Sequence, residues 1–177
     1  MKNKISAILI CLVSLAVILC SCGENNINEE VITSPKAQEE YEKYKSSLGY
    51  KINYDDVLFS LEKDKDNSRD KFTLKSGDGN TGLIITKYEN SNLHDVVAKL
   101  QESYKNNGCA DISSNPSALF ENALSVVAVK KDGSIIENTV IENGKDVFSL
   151  EISIGTSLND VNGEMALYSM IETFEVR

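Results

Sequence analysis

"VFSLEISIG", residues 147–155, is the stretch from which the rest of the chain can be understood. Phe148, Leu150, Ile152 and Ile154 fall on one side of an extended strand, and Ser149, Glu151 and Ser153 on the other. Strand side chains alternate with a period of two, so the pattern predicts an antiparallel sheet with one face covered and one partly wet. Immediately upstream, "ENGKD" holds Asn143-Gly144, a pair that suits the tight turn of a hairpin. The partner strand is then "SIIENTVI" (134–141), preceded by "ALSVVAVKK" (123–131).

Earlier segments carry the same signature. "GYKINY" (49–54) sets Tyr50, Ile52 and Tyr54 on one face, and "LFSLEK", "KFTLK" and "GLIITKYE" follow, separated by turn formers. The period changes in "SNLHDVVAKLQESYKN" (91–106). Leu93, Val96, Val97, Leu100 and Tyr104 share a helical stripe, with Ser91 or Asn92 as cap and Gly108 as stop. A closing helix is expected in "NDVNGEMALYSMIETFEVR", with Leu167, Met170, Ile171 and Phe174 on one stripe. A short charged helix is expected in "AQEEYEKYKSS" (37–47), where Ser34-Pro35 is a plausible start. Strands, helix, strands and helix with short connections give an α+β class, a twisted antiparallel β-sheet with helices packed on it.

The first 22 residues speak of location. Lys2 and Lys4 precede an uncharged run from Ile5 to Cys20, the layout of a secretory leader. As a helix the run spans about 24 Å at ~1.5 Å per residue, short of the roughly 30 Å hydrocarbon core of a bilayer. Leu19-Cys20-Ser21-Cys22 resembles the bacterial lipobox, in which small residues precede a cysteine that becomes the new N-terminus. That resemblance implies a signal peptide over 1–21 and acyl chains on Cys22. Two or more chains give lasting membrane attachment, where one holds only marginally. Residues 22–36 are then a flexible acidic tether and 37–177 the folded domain.

Charge narrows the partners. Of 18 basic residues, loss of Lys2 and Lys4 leaves 16 against 27 acidic ones, a side-chain charge of −11. Such a body is repelled by nucleic acid and anionic lipid, so nucleic acid is excluded and the membrane is met through the lipid anchor. With Cys22 acylated, only Cys109 remains, and an intramolecular disulfide cannot form.

The order of pieces resembles the PsbP-like family. The segments that carry the likeness are "SLGYKINYDDVLFSLE", "LHDVVAKLQ", "ALSVVAVKKDGSIIENTVIENGKDVFSLEIS" and "MALYSMIETFEV". Asp55 stands where the family usually has a proline after the tyrosine. The resemblance covers roughly residues 48–177 and implies an α/β/α sandwich, a fold shared with a eukaryotic Ran-binding regulator. It also implies a binding or assembly role, and no catalytic residue is carried over with it.

Other constellations bear on chemistry. "GDGNTG" places Gly77, Gly79 and Gly82 in the G-x-G-x-x-G spacing, but the β-branched "LIITKY" that follows predicts a hairpin turn, not a dinucleotide site. "DKDNSRD" and "DGN" offer Asp64, Asp66, Asn67, Asp70, Asp78 and Asn80 as oxygen ligands for Ca²⁺. An EF-hand register from Asp64 nevertheless puts Arg69 where glycine belongs and Lys75 where glutamate belongs, so solvated loop charge is expected. His94, the single histidine, would have to serve any Ser-His-Asp or Cys-His arrangement, including one with Cys109. No zinc shell can be assembled from one histidine and one free cysteine. The carboxylate pairs Asp55/Asp56, Glu29/Glu30 and Glu39/Glu40 are expected to be charged surface.

The expectation is therefore a lipid-anchored binding or assembly module facing the extracytoplasmic side of a bacterial cell membrane. It needs no cofactor or metal and has no catalytic activity, and its partner is an envelope protein. An envelope hydrolase using acidic residues and a small-ligand carrier are the alternatives.

Overall fold

The alternation at 147–155 is realised as β9 (Asp146–Ile154), the middle strand of a seven-stranded antiparallel sheet. The structure, a computed structural model, describes residues 41–64, 66, 68–76, 79–155 and 161–177. The leader 1–21, Cys22 and the tether 22–36 lie outside the described residues.

The elements in chain order are β1 (Glu42–Lys45), β2 (Tyr50–Tyr54), β3 (Phe59–Asp64), β4 (Arg69–Leu74) and β5 (Gly82–Tyr88). They continue with α1 (Leu93–Asn106), β6 (Asp111–Pro116), β7 (Ala123–Val129), β8 (Ile135–Asn143), β9, α2 (Val161–Glu172) and β10 (Glu175–Val176). The large sheet has the order β3-β4-β5-β9-β8-β7-β6, and a small sheet has the order β1-β2-β10. This is the expected α+β class.

The two faces of the large sheet are covered differently. On one, α1 packs against β6, β7 and β8 and buries Val96, Val97 and Tyr104 on Val126, Ala128, Ile136, Val140 and Val147. The other face carries Phe72, Leu83, Ile85, Phe148, Leu150 and Ile152 against the small sheet and α2. Aromatic rings fill that layer. Tyr54 meets Phe72 edge-on at 5.2 Å between ring centroids, and Phe148 meets Phe174 at 5.8 Å. Such tilted pairs set the positive edge of one ring on the negative face of another, worth about 0.5–1.5 kcal/mol beyond the area they bury.

Helix α1 forms where the periodicity placed it, and its ends explain why. The Asn92 side chain accepts from the Asp95 backbone N–H at 2.9 Å, capping the free amides of the first turn. At the other end Gly108 has φ +82°. Cys109 N–H donates to Tyr104 C=O and Gly108 N–H to Lys105 C=O, a Schellman closure that only a left-handed residue permits cheaply.

Two expectations need correction. Residues 42–45 form β1 instead of part of a charged helix over 37–47. Tyr44 points inward onto Tyr54 and Phe72 while Lys43 and Lys45 point out, so a period of two wins over helix-compatible composition. The polar side of β9 is partly wet as expected, with Glu151 and Ser153 half-buried, while Ser149 is 2% exposed and donates to Asn138. "DISSNP" is a strand, β6, that sequence propensity hides. It is an exposed edge, where polar residues and a proline are tolerated because one side of the ladder is unpaired. Finally, Phe174 lies past the end of α2 but is still buried beside Tyr50.

Candidate functional site

The residues singled out for chemistry do not converge. His94 is exposed in the first turn of α1, beside Leu119 and Phe120 in an open groove. Cys109 is buried just beyond the last turn. The helix between them, 14 residues at ~1.5 Å each, holds them roughly 20 Å apart, so they form no nucleophile–base pair. Gly79 and Gly82 belong to the β4–β5 hairpin, with strand β5 following. No helix N-terminus is therefore present there to receive a pyrophosphate; Gly77 and Asp78 lie outside the described residues.

The two acidic turns are also separated. Asp64, Asp66 and Asp70 lie at the β3–β4 end of β4 and Asn80 at the β4–β5 end, while Asn67 and Asp78 lie outside the described residues. Six residues at about 3.3 Å each put roughly 20 Å between them. Asp55, where a proline was expected, builds a turn. Its carboxylate accepts from the backbone N–H of Val57 at 2.7 Å and of Leu58 at 3.1 Å. Among the described residues no group of three or more His, Cys, Asp or Glu side chains gathers at metal-binding distance. Glu29/Glu30 and Glu39/Glu40 lie outside the described residues.

Asp70 departs most from expectation. Instead of a solvated loop charge it is a core residue, 3% exposed, facing the small sheet. Its Oδ2 accepts from Tyr50 Oη at 2.6 Å, from Tyr44 Oη at 3.3 Å and from Ser46 Oγ. A buried carboxylate is tolerable only when its lone pairs are met, and three hydroxyls from β1, β2 and the turn between them do that. Burial, and then the Asp70 carboxylate, pushes the Tyr50 hydroxyl well above its ordinary value, so it remains a donor. The cage is enclosed and ties the two sheets together.

On the opposite face a second polar group opens to solvent. Strand register places Arg69, Thr86 and Ser149 in one row and Lys71, Ile84, Glu151 and Asn138 in the next. Tyr104, from α1, donates to Glu151 Oε2 at 2.7 Å. Asn138 Nδ2 donates to Tyr104 Oη at 3.1 Å and to the same Glu151 oxygen at 3.4 Å, and its Oδ1 accepts from Ser149 Oγ at 3.0 Å. Asn138 is fully buried, so this network fixes the orientation of Glu151. Burial, followed by the neighbouring Glu151 charge, drives the Tyr104 hydroxyl upward.

Where α1 stops covering the sheet, a cleft of about 260 Å³ lies between the helix and strands β4, β5 and β9. Its floor holds Ile84 and Glu151, and its walls Arg69, Lys99, Leu100 and Tyr104. Sequence reasoning missed this site. Its residues come from four elements, and only the strand register brings Arg69 of the β3–β4 turn region onto the row of Ser149.

Comparison with solved structures follows the architecture. The solution structure of cyanobacterial PsbP (CyanoP) from Synechocystis sp. PCC 6803 superposes with a TM-score of 0.53 at 12% identity, covering 90% of this chain and 99% of that one. A crystal structure from Bacteroides thetaiotaomicron VPI-5482 matches with a TM-score of 0.45 at 14% identity, over 77% of this chain and 48% of that one. No family model and no curated protein matches the sequence. At 12% identity the likeness to CyanoP is one of fold, and the chain has the PsbP-like α+β fold.

Proposed function

We propose that this protein is a binding or assembly module, held by acyl chains on Cys22 at the extracytoplasmic side of a bacterial cell membrane. Its partner is another protein of the envelope, and it performs no catalysis. The observation that carries the reading is Leu19-Cys20-Ser21-Cys22 at the end of an uncharged run led by two lysines. No helix among the described residues is long and apolar enough to cross a membrane. The PsbP-like fold supports the binding role. The distance between His94 and Cys109 and the enclosure of Asp70 by hydroxyls weigh against the hydrolase alternatives that the sequence allowed.

Metabolic labelling with a palmitate analogue tests the anchor. Label is expected in the wild-type protein and absent from Cys22→Ser. Labelling that persists in the variant, or fails in the wild type, overturns the reading. Crosslinking on intact cells should then capture an envelope protein with the anchored form, at a yield much reduced with Cys22→Ser.

A further inference from the structure

The cleft beside α1 is lined by charges of both signs. Arg69 from β4 and Lys99 from α1 both line it, and neither is in an ion pair among the described residues. Glu151 supplies the opposite charge. Its Oε2 takes both bonds from Tyr104 and Asn138, leaving Oε1 without a bond from either. The carboxylate is therefore held in place before any ligand arrives, and preorganisation of this kind reduces the ordering cost of binding.

The charges select a ligand by exclusion. A simple anion would meet Arg69 and Lys99 but be repelled by Glu151, and a simple cation would face the reverse. A molecule that carries both groups on one carbon can meet both charges. The volume of about 260 Å³ equals roughly nine waters at ~30 Å³ each, the scale of a free amino acid. Ile84 and Leu100 provide apolar surface for an aliphatic substituent.

We infer that this cleft binds a small zwitterion of the α-amino acid type, its carboxylate toward Arg69 and Lys99 and its ammonium toward Glu151. Tyr104 and Asn138 are positioning residues that act through Glu151. This binding does not depend on the anchor, so Cys22→Ser leaves it unchanged.

The test is nitrogen-15 correlation spectroscopy on the full chain with matched probes. L-leucine and L-serine carry both charges, isocaproate is leucine without its ammonium, and isoamylamine is leucine without its carboxylate. At least one amino acid is expected to shift the amides of Tyr88, Leu100 and Glu151 saturably at millimolar concentration. Isocaproate and isoamylamine should bind about tenfold more weakly or worse than L-leucine. Arg69→Ala, at an exposed position, should weaken amino acid binding about tenfold. Glu151→Gln should weaken L-leucine while strengthening isocaproate, an inversion that a merely structural role would not produce. Absence of saturable shifts with both amino acids overturns the inference. So does isocaproate binding the wild-type chain as tightly as L-leucine.

Discussion

Asp70 and Tyr50, on strands of two different sheets, meet through a 2.6 Å hydrogen bond in the layer between those sheets. Tyr44 and Ser46 complete the contact on the same carboxylate oxygen. Removing one donor leaves a buried charge with fewer partners, and removing the carboxylate leaves three hydroxyls without their acceptor. Tyr50→Phe is expected to cost about 1.5–3 kcal/mol, the range for hydrogen bonds to charged groups. Asp70→Ala should cost more, because it leaves three hydroxyls without their acceptor at about 1–3 kcal/mol for each one that stays buried and unsatisfied. Urea midpoints at constant slope measure both, and a Tyr50→Phe midpoint equal to wild type would remove the cage from the account of stability.

Alkaline pH should unfold the protein through its tyrosines. Burial, with the Glu42 carboxylate accepting its hydroxyl, pushes Tyr54 up to about 12 from 10.0. Burial and the nearby Glu137 do the same for Tyr168, also to about 12. Between those values the unfolded chain has lost these protons while the folded chain keeps them. The folded state then binds more protons, so stability falls as pH rises. The contribution is complete below 10 and lost on passing through 12. Urea titrations in steps between about pH 9 and pH 12 should show this loss, with a shallower slope for Tyr54→Phe.

Two glycines of one hairpin should respond to alanine for different reasons. A Cβ on Gly82 would lie 2.2 Å from the Phe72 carbonyl oxygen, so β4 and β5 must part. Overpacking of this kind costs about 1–3 kcal/mol or more. Gly79 has open space around it but a φ of +79°, and alanine there meets only the left-handed penalty of about 1–2 kcal/mol. Thermal unfolding of the two variants should rank Gly82→Ala below Gly79→Ala, and the reverse order would contradict the strand register.

His94→Ala combined with Cys109→Ser should leave cellular function intact, because the two side chains sit at opposite ends of α1. Loss of function with either substitution in a protein of unchanged melting temperature would restore an enzymatic reading. Millimolar Ca²⁺ should likewise leave the melting temperature unchanged, since the acidic turns lie at opposite ends of β4.

How far these features could be read from the chain depends on whether they are local. Helix α1 was legible because its cap, stripe and stop lie within 17 residues of one another, Asn92 to Gly108. The β7–β9 meander was legible because alternation and the Asn143-Gly144 turn agree. Asp70 was not. In sequence it closes the acidic run "DKDNSRD", and only the packing of β1 and β2 onto β4 buries it. Tyr44 was misassigned for the same reason, since its inward direction is fixed by Tyr54 and Phe72, which lie 10 and 28 positions further along. The cleft beside α1 needed the full cross-strand register from Arg69 through Thr86 to Ser149.

Strand β2 has β1 on one side and β10 on the other, with Lys51 opposite Glu175 and Tyr50 opposite Val176. One neighbour is made just before it and the other only after more than a hundred further residues. While the polypeptide is still being elongated, β2 has an open flank, and the ring of Phe174 has yet to reach Tyr50. The layer that encloses Asp70 therefore cannot close before residue 174 is made, and a nascent chain halted short of it should be easily digested by protease.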